Sequence, residues 1–347
     1  MNVSGKLGKW YDRNKRYLPW RESGNPYYIW VSEIILQQTR VQQGLDYYHR
    51  FIEKFPTIFI LWESGLEKVL KVWQGLGYYS RARNMHKAAG IIVNEYQGII
   101  PRDYQKVRNL PGVGDYTAGA ILSLAYNEPF PAVDGNVFRV LSRYFGIPYP
   151  ADSTQGKKES GKLASEIMDT QNPGRHNQAM IELGALICHP RNPACGDCPI
   201  RDGCYAFLNN DIDKYPLKKK QVTLAHRYFN YLVIRKKQSV FIKQRMAGDI
   251  WASLYDFPLI EHNSFIPLEE LLNGPEWKEI FENKPVLIQK ISPEIKYQLS
   301  HRLIYTRFIE IVVQDDFRMK SAIEVRNSQI EKYPFPRLIE KYFLEAI

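Results

Sequence analysis

All four cysteines of the chain fall within CHPRNPACGDCPIRDGC, residues 188 to 204, spaced C-x6-C-x2-C-x5-C through Cys188, Cys195, Cys198 and Cys204. Prolines and glycines between them let a short loop curl around one centre, which is the pattern of a metal site. Two disulfides are disfavoured: MNVSGKLGKWYDRNKRYLPW has no signal-peptide pattern, and a chain of this size builds a core without staples. Four thiolates suit zinc, but structural zinc sites show two short C-x2-4-C pairs, and only Cys195 and Cys198 make one. The wide first gap leaves room for an iron–sulfur cluster on four thiolates. Spacing prefers the cluster and leaves zinc open.

Carboxylates supply the second candidate chemistry. Glu33, in SEIILQQTR, lies on an otherwise apolar helix face, where desolvation raises a carboxyl pKa. Asp134, in FPAVDGNVFRVLSR, follows an apolar stretch and precedes a glycine turn, the place of a helix N-cap. About 20 residues before it, LPGVGDYTAGAI offers Gly112 and Gly114 for a tight turn into a helix. The amides of Val113, Gly114 and Asp115 then point at an anion with the helix dipole behind them, a grip for one DNA phosphate that reads no sequence. Gln37, Gln38, Tyr78 and Tyr79 bring amide forks and flat rings of the kind that probe an exposed base or fill a gap in a base stack.

The elements that must position these groups change character along the chain. Up to Cys204, stretches such as YIWVSEIILQQTRVQQGLDYYHRFIEKF and YTAGAILSLAYN place apolar residues at intervals of three and four, the helical period. DIDKYPLKKKQ reads as a charged, proline-containing linker. After it, RYFNYLVIRKKQSVFIKQR predicts two strands around a Lys-Lys-Gln turn, and HRLIYTRFIEIVVQ another. The expected organisation is an all-α domain over 1–212, a linker over 213–226 and an α+β domain over 227–347. No apolar run is long enough to span a bilayer, and a net charge of +10 with 24% charged residues favours a polyanionic partner.

In order along the chain, E-x3-Q-Q-T, G-L-G-Y-Y-S-R-A, L-P-G-V-G-x-Y-T-A-G-A, V-D-G-N-V-x-R-V and the cysteine loop resemble the MutY-type adenine DNA glycosylases of the helix-hairpin-helix superfamily. The resemblance is strong over residues 10 to 205. It implies a [4Fe-4S] cluster on the four cysteines, and removal of adenine mispaired with 8-oxoguanine or guanine in double-stranded DNA. By the same resemblance Glu33 is the general acid, Asp134 the carboxylate that faces the sugar cation and Asn136 the residue that steadies it. Tyr116 stands where related lyases carry a Schiff-base lysine, which implies a monofunctional enzyme. Arg16, Trp20, Arg21, Gln38, Leu76, Tyr78 and Glu182 are matched to substrate contacts, and Gly112, Val113 and Gly114 to the phosphate grip. The last third resembles a Nudix-like domain that reads 8-oxoguanine through Ser300 and His301 in YQLSHRLIY, with Leu299 where the family carries phenylalanine. No Nudix hydrolase box is present, which argues against pyrophosphatase activity. The implied protein is a cytoplasmic, nucleoid-associated monomer. An endonuclease III-like glycosylase/lyase and a catalytically silent iron–sulfur DNA-binding protein are the alternatives; the tyrosine at 116 opposes the first and the two carboxylates the second.

Overall fold

The computed structural model describes residues 3–218, 224–282 and 284–345. By contact density the chain forms two units, Met1–Ser64 with Asn84–Lys220, and Gly65–Arg83 with Gln221–Ile347.

The first unit is helical. The helix Pro26–Leu36 begins with Asn25 accepting the Tyr27 N–H and with proline in its first turn, where a missing N–H costs nothing. It is apolar all round, and residues 29–35 are buried. Val41–Lys54 follows after a break at Gln37–Arg40, where Gln38 takes φ 59°. Tyr104–Arg108 and Asp115–Tyr126 are joined by a tight turn in which Gly112 has φ 79°. A side chain there would be strained, and its Cβ would meet Asn84 Cβ at 2.8 Å. Gly135–Phe145 starts on Asp134 and stops at Gly146 in the left-handed conformation, the usual helix stop. Pro173–Leu186 crosses it so closely that a Cβ at Gly184 would sit 2.7 Å from Asn136 Cβ. Leu7, Tyr11, Val137, Leu141, Met180 and Leu183 form the core between these helices and Val3–Asn14.

The second unit is built on an eight-stranded mixed sheet: β1 (Ala225–Lys236), β2 (Ser239–Gln244), β3 (Tyr255–Asp256), β4 (Leu259–His262), β5 (Leu287–Ile291), β6 (Ile295–Gln298), β7 (Arg302–Val312) and β8 (Ile323–Arg326). The order is β3-β2-β1-β7-β5, with β4 also on β1, β6 on β7 and β8 on β2. The β1–β7 pair is parallel from Ala225↔Arg302 to Arg235↔Val312. Phe229, Tyr231 and Val233 face the helix Arg337–Glu345 through Leu338, Ile339 and Tyr342. Leu232 and Ile234 face Leu271, Trp277 and Phe281 on the helices Leu268–Asn273 and Pro275–Phe281. Covered on both faces, the centre of β1 is an apolar run instead of a strict alternation. The β1–β2 hairpin turns at Lys237 and Gln238, as expected from the Lys-Lys-Gln segment.

Two boundaries differ from the sequence expectation. The stretch read as the start of a linker is fastened to the first unit: the Arg143 guanidinium donates to the carbonyls of Ile212 and Tyr215, and Tyr215 is buried. The expected linker positions 219–223 lie outside the described residues, and β1 begins at Ala225. Residues 65–83, read as part of the helical domain, pack with the second unit. No helix among the described residues is long and apolar enough to cross a membrane.

Candidate active site

An open cleft in the first unit is lined by Arg16, Glu33, Gln37, Gln38, Tyr116, Asp134, Asn136 and Arg139. Glu33 sits near the C-terminal end of the apolar helix Pro26–Leu36 and is 6% exposed. Its carboxyl is pushed up to about 7, first by burial and further by the charge of Asp134, against the pull of the Tyr116 hydroxyl and Arg21. That hydroxyl donates to Glu33 Oε2 at 2.5 Å. Tyr116 is placed by the second residue of the hairpin's helix, so the turn that presents backbone amides also sets the phenol. Asp134 caps its helix by accepting the Val137 N–H at 2.7 Å, and its other oxygen accepts from Asn136 Nδ2 at 2.9 Å. Burial raises its pKa, and these hydrogen bonds oppose the rise. Two carboxyl groups thus share one cleft, Glu33 pushed up to about 7 and Asp134 raised by burial but carrying hydrogen bonds that favour its ionised form, a pair of the kind glycosidic cleavage uses.

Arg16 and Arg21 converge on Glu182, which is fully buried. Burial would raise the Glu182 carboxyl, but hydrogen bonds from Arg16 Nε at 2.7 Å and Arg21 Nη2 at 2.8 Å hold it at about 2. Arg16 reaches the cleft wall from this pair. Trp20 is 4% exposed and packs edge-on against Tyr48, with ring centroids 5.0 Å apart, so it belongs to the core and is absent from the cleft lining. Gln38 lies on the wall in its left-handed conformation.

The hairpin carries one correction. The Val113 N–H is used inside the turn, donating to Leu110 O at 3.0 Å, because the chain must reverse there before the helix begins. The N–H groups that open the helix at Gly114 and Asp115 have no intrahelical acceptor, and no atom lies within 4 Å of a Cβ built on Gly114. Arg108 and Tyr104 both donate to Asp115 Oδ1, at 2.5 and 3.1 Å, which offsets its negative charge beside the grip.

The four cysteines are half-buried and none is in a disulfide. Their thiols sense one another: Cys198 is pushed up to about 11, chiefly by burial, with Cys188, Cys204 and Cys195 adding to the rise. Among the described residues no three His, Cys, Asp or Glu side chains are grouped to hold a single metal ion. Four thiols within electrostatic reach of one another are the donor set that a four-iron cluster takes. The loop also reaches the cleft through His189 and Pro190. Arg139 ties it to the carboxylate: its Nε donates to Cys188 O at 2.7 Å, and its Nη2 to Asn136 Oδ1 at 2.9 Å.

In the second unit, Tyr78 is 48% exposed with φ 47°, and its hydroxyl lies 2.5 Å from Ser300 Oγ. A bulky residue in that backbone region is uncommon and is held here by its surroundings. Tyr79 accepts the Gly75 N–H at 3.2 Å and donates to Phe335 O at 3.3 Å, while Arg83 donates to Ala252 O at 2.7 Å. Leu76 is buried. His301 is exposed beside Ser300, and its carbonyl accepts the Ala225 N–H that starts β1. Leu299 packs against the core under the Phe229 face of the sheet. The structure therefore divides the sequence-matched residues into two groups, Leu76, Tyr78, Ser300 and His301 in one unit and the rest in the other.

Fold, carboxyl pair and cysteine loop define the class as a helix-hairpin-helix DNA glycosylase with an iron–sulfur loop. Family models agree: an HhH-GPD superfamily base excision DNA repair protein matches residues 31–166, the iron–sulfur binding domain of endonuclease III matches 188–204, and a NUDIX domain matches 230–345. The adenine DNA glycosylase of Buchnera aphidicola subsp. Baizongia pistaciae is 38% identical over 88% of this chain and 84% of its own. That of Mus musculus is 44% identical over 58% of this chain and 41% of its own. A thermostable thymine-DNA glycosylase structure superposes with TM-score 0.55 at 28% identity, covering 59% of this chain and 95% of that one. The chain belongs to the adenine DNA glycosylase family, whose cofactor is a [4Fe-4S] cluster.

Sequence reasoning missed Arg139 and Arg143. Their signal was present, since two arginines four apart on a helix share one face, and that face turns towards the cysteine loop.

Proposed function

We propose that this DNA glycosylase excises adenine paired with 8-oxoguanine or guanine, that it is monofunctional, and that it works on double-stranded DNA as a monomer inside the cell. The observation that carries the chemistry is Glu33, buried, raised to about 7 and within electrostatic reach of Asp134. Adenine has to leave the stack before its glycosidic bond is accessible. Glu33 then gives its proton to the purine's imidazole nitrogen, and the bond from sugar C1′ to the base breaks with its electron pair going to the base. Asp134, capped and braced by Asn136, faces the positive charge left on the sugar. A water adds at C1′ and loses its proton to the ionised Glu33, which restores the acid.

Tyr116 supports the monofunctional reading, since a phenol cannot form the Schiff base through which a lysine would cleave the strand. Arg16, Arg21, Gln38, Tyr78 and Glu182 are the proposed substrate contacts, with Trp20 and Leu76, both buried, supporting them from behind, and the turn at Gly112 with the free amide of Gly114 holding phosphate. Cys188, Cys195, Cys198 and Cys204 are the proposed cluster ligands; when bound, the cluster cross-links their loop and supplies a one-electron redox centre. Ser300 and His301 offer a hydroxyl and an imidazole, a donor–acceptor pair suited to the added oxo group and ring N–H of 8-oxoguanine.

The test is a duplex with one A:8-oxoguanine pair, treated with enzyme and then split between alkali and neutral quench. Strand scission only after alkali supports the proposal. Scission without alkali overturns the monofunctional reading, and no scission with alkali overturns adenine excision.

A further inference from the structure

Arg143 is 3% exposed, and its side chain ends in a guanidinium cation with five N–H donors. Its Nη1 donates to Cys188 Sγ at 3.3 Å and to His189 O at 2.6 Å, and its Nη2 to Pro190 O at 3.1 Å. Its Nε is shared between Ile212 O at 3.2 Å and Tyr215 O at 3.1 Å. From the other side, Cys204 Sγ lies 3.4 Å from the Arg143 backbone carbonyl oxygen. One residue therefore touches the first and the last cysteine and fastens the chain on both flanks of their loop.

Every one of these side-chain hydrogen bonds ends on a carbonyl oxygen or on sulfur, and none on a carboxylate. A buried cation without a counter-charge is costly. Carbonyl dipoles offset part of that cost, and four thiolates around a cluster supply the rest, because a four-iron, four-sulfur core with four thiolates is anionic in its common oxidation states. Carbonyl bonds alone would make Arg143 a staple. The sulfur contact gives it an electrostatic role as well, since hydrogen bonds and positive charge at a cluster's sulfurs favour the more negative, reduced state.

We propose that Arg143 is the built-in counter-ion of the iron–sulfur cluster, raising its reduction potential and slowing its oxidative loss through the contact with Cys188 sulfur. Arg139, one turn earlier, reaches the Cys188 carbonyl and not the sulfur. It is therefore the comparison that removes a charge near Cys188 without removing the sulfur contact.

The test uses the full-length holoenzyme as wild type, Arg143→Lys, Arg143→Gln and Arg139→Gln. Iron and acid-labile sulfide per chain, the midpoint potential by protein-film voltammetry, and the rate of absorbance bleaching under ferricyanide are measured for each. Lysine keeps the charge, so its potential and bleaching rate stay near wild type; Arg139→Gln, which removes a charge near Cys188 that does not touch its sulfur, shifts both less than Arg143→Gln does. Arg143→Gln has a lower potential and bleaches several-fold faster. Equal potentials in all four proteins, or a lysine variant that behaves like the glutamine one, would overturn the counter-ion role and leave only the staple. If the glutamine variant fails to take up iron, the lysine variant decides: wild-type iron content and potential support the proposal, and loss of the cluster there too contradicts it.

Discussion

The Tyr116 hydroxyl donates to Glu33 Oε2 at 2.5 Å, so a residue in the first turn of the hairpin's second helix also bears on the acidity of the buried carboxyl. The bond favours the ionised form of Glu33, while burial and Asp134 favour the protonated form and prevail.

Removing the phenol hydroxyl in Tyr116→Phe deletes the strongest influence that lowers the Glu33 pKa. The pKa therefore rises, and the pH above which excision fails moves upward from about 7. Single-turnover excision followed across pH measures this; an unmoved or lowered limb would show that the hydroxyl does not bear on Glu33.

Glu33→Gln keeps the shape of the side chain and removes the proton. General acid catalysis is typically worth about 10²–10⁴-fold, and excision should fall by that order while binding to lesion DNA persists. The same change should stabilise the fold in alkali. The Glu33 carboxyl moves from 4.5 to about 7 on folding, so below about pH 4.5 both states are protonated and nothing is gained. Through that window the buried charge becomes a burden, reaching about 3 kcal/mol above pH 7 at roughly 1.36 kcal/mol per pH unit. Urea melts at about pH 8 and pH 4 should show the variant more stable only at the higher pH.

Asp134→Asn separates the two duties of that residue. Asparagine is as good an N-cap as aspartate, so the melting temperature should barely change. A neutral amide cannot offset a developing cation in a shielded site, and excision should drop by about 10²-fold or more. A variant that keeps its activity would reduce Asp134 to a cap.

The residues themselves show what the sequence makes legible. Glu33 is readable as buried because its helix face, with Ile29, Trp30 and Leu36, is otherwise apolar, and Asp134 as a cap because a glycine and a helical pattern follow it. The strands of β1, β2 and β7 are readable because they are long β-branched and aromatic runs around a short polar turn. Other features depend on distant partners. Residues 65–83 carry an ordinary helical pattern, and only contacts such as Tyr79 with Phe335 O and Arg83 with Ala252 O assign them to the second unit. The use of the Val113 amide within its own turn is a matter of a few ångströms that glycine spacing does not encode. Arg139 and Arg143 look like a solvated face until the cysteine loop is folded against them.

Lesion reading is tested by the double change Ser300→Ala and His301→Ala. Losing a polar partner in a desolvated site costs on the order of 1–3 kcal/mol, or roughly 5- to 150-fold. Excision opposite 8-oxoguanine under limiting enzyme should fall towards the level of A:G, with A:G itself nearly unchanged. Equal losses on both duplexes would assign the pair to general DNA binding or to the fold. Tyr78→Phe, which removes the hydroxyl facing Ser300, should give a smaller shift in the same direction.

The pH profile of single-turnover excision on the wild-type enzyme bears most directly on the proposed chemistry. Glu33 acts protonated, with its pKa near 7, and Asp134 acts ionised, with its pKa raised above the usual carboxylate value but opposed by three hydrogen-bond donations. The expected profile is a bell that falls tenfold per pH unit above about 7 and declines again in acid. Its alkaline limb should disappear in Glu33→Gln, leaving only slow, pH-insensitive excision there. A wild-type rate that stays level or climbs between about pH 6 and pH 9 would contradict proton donation by Glu33.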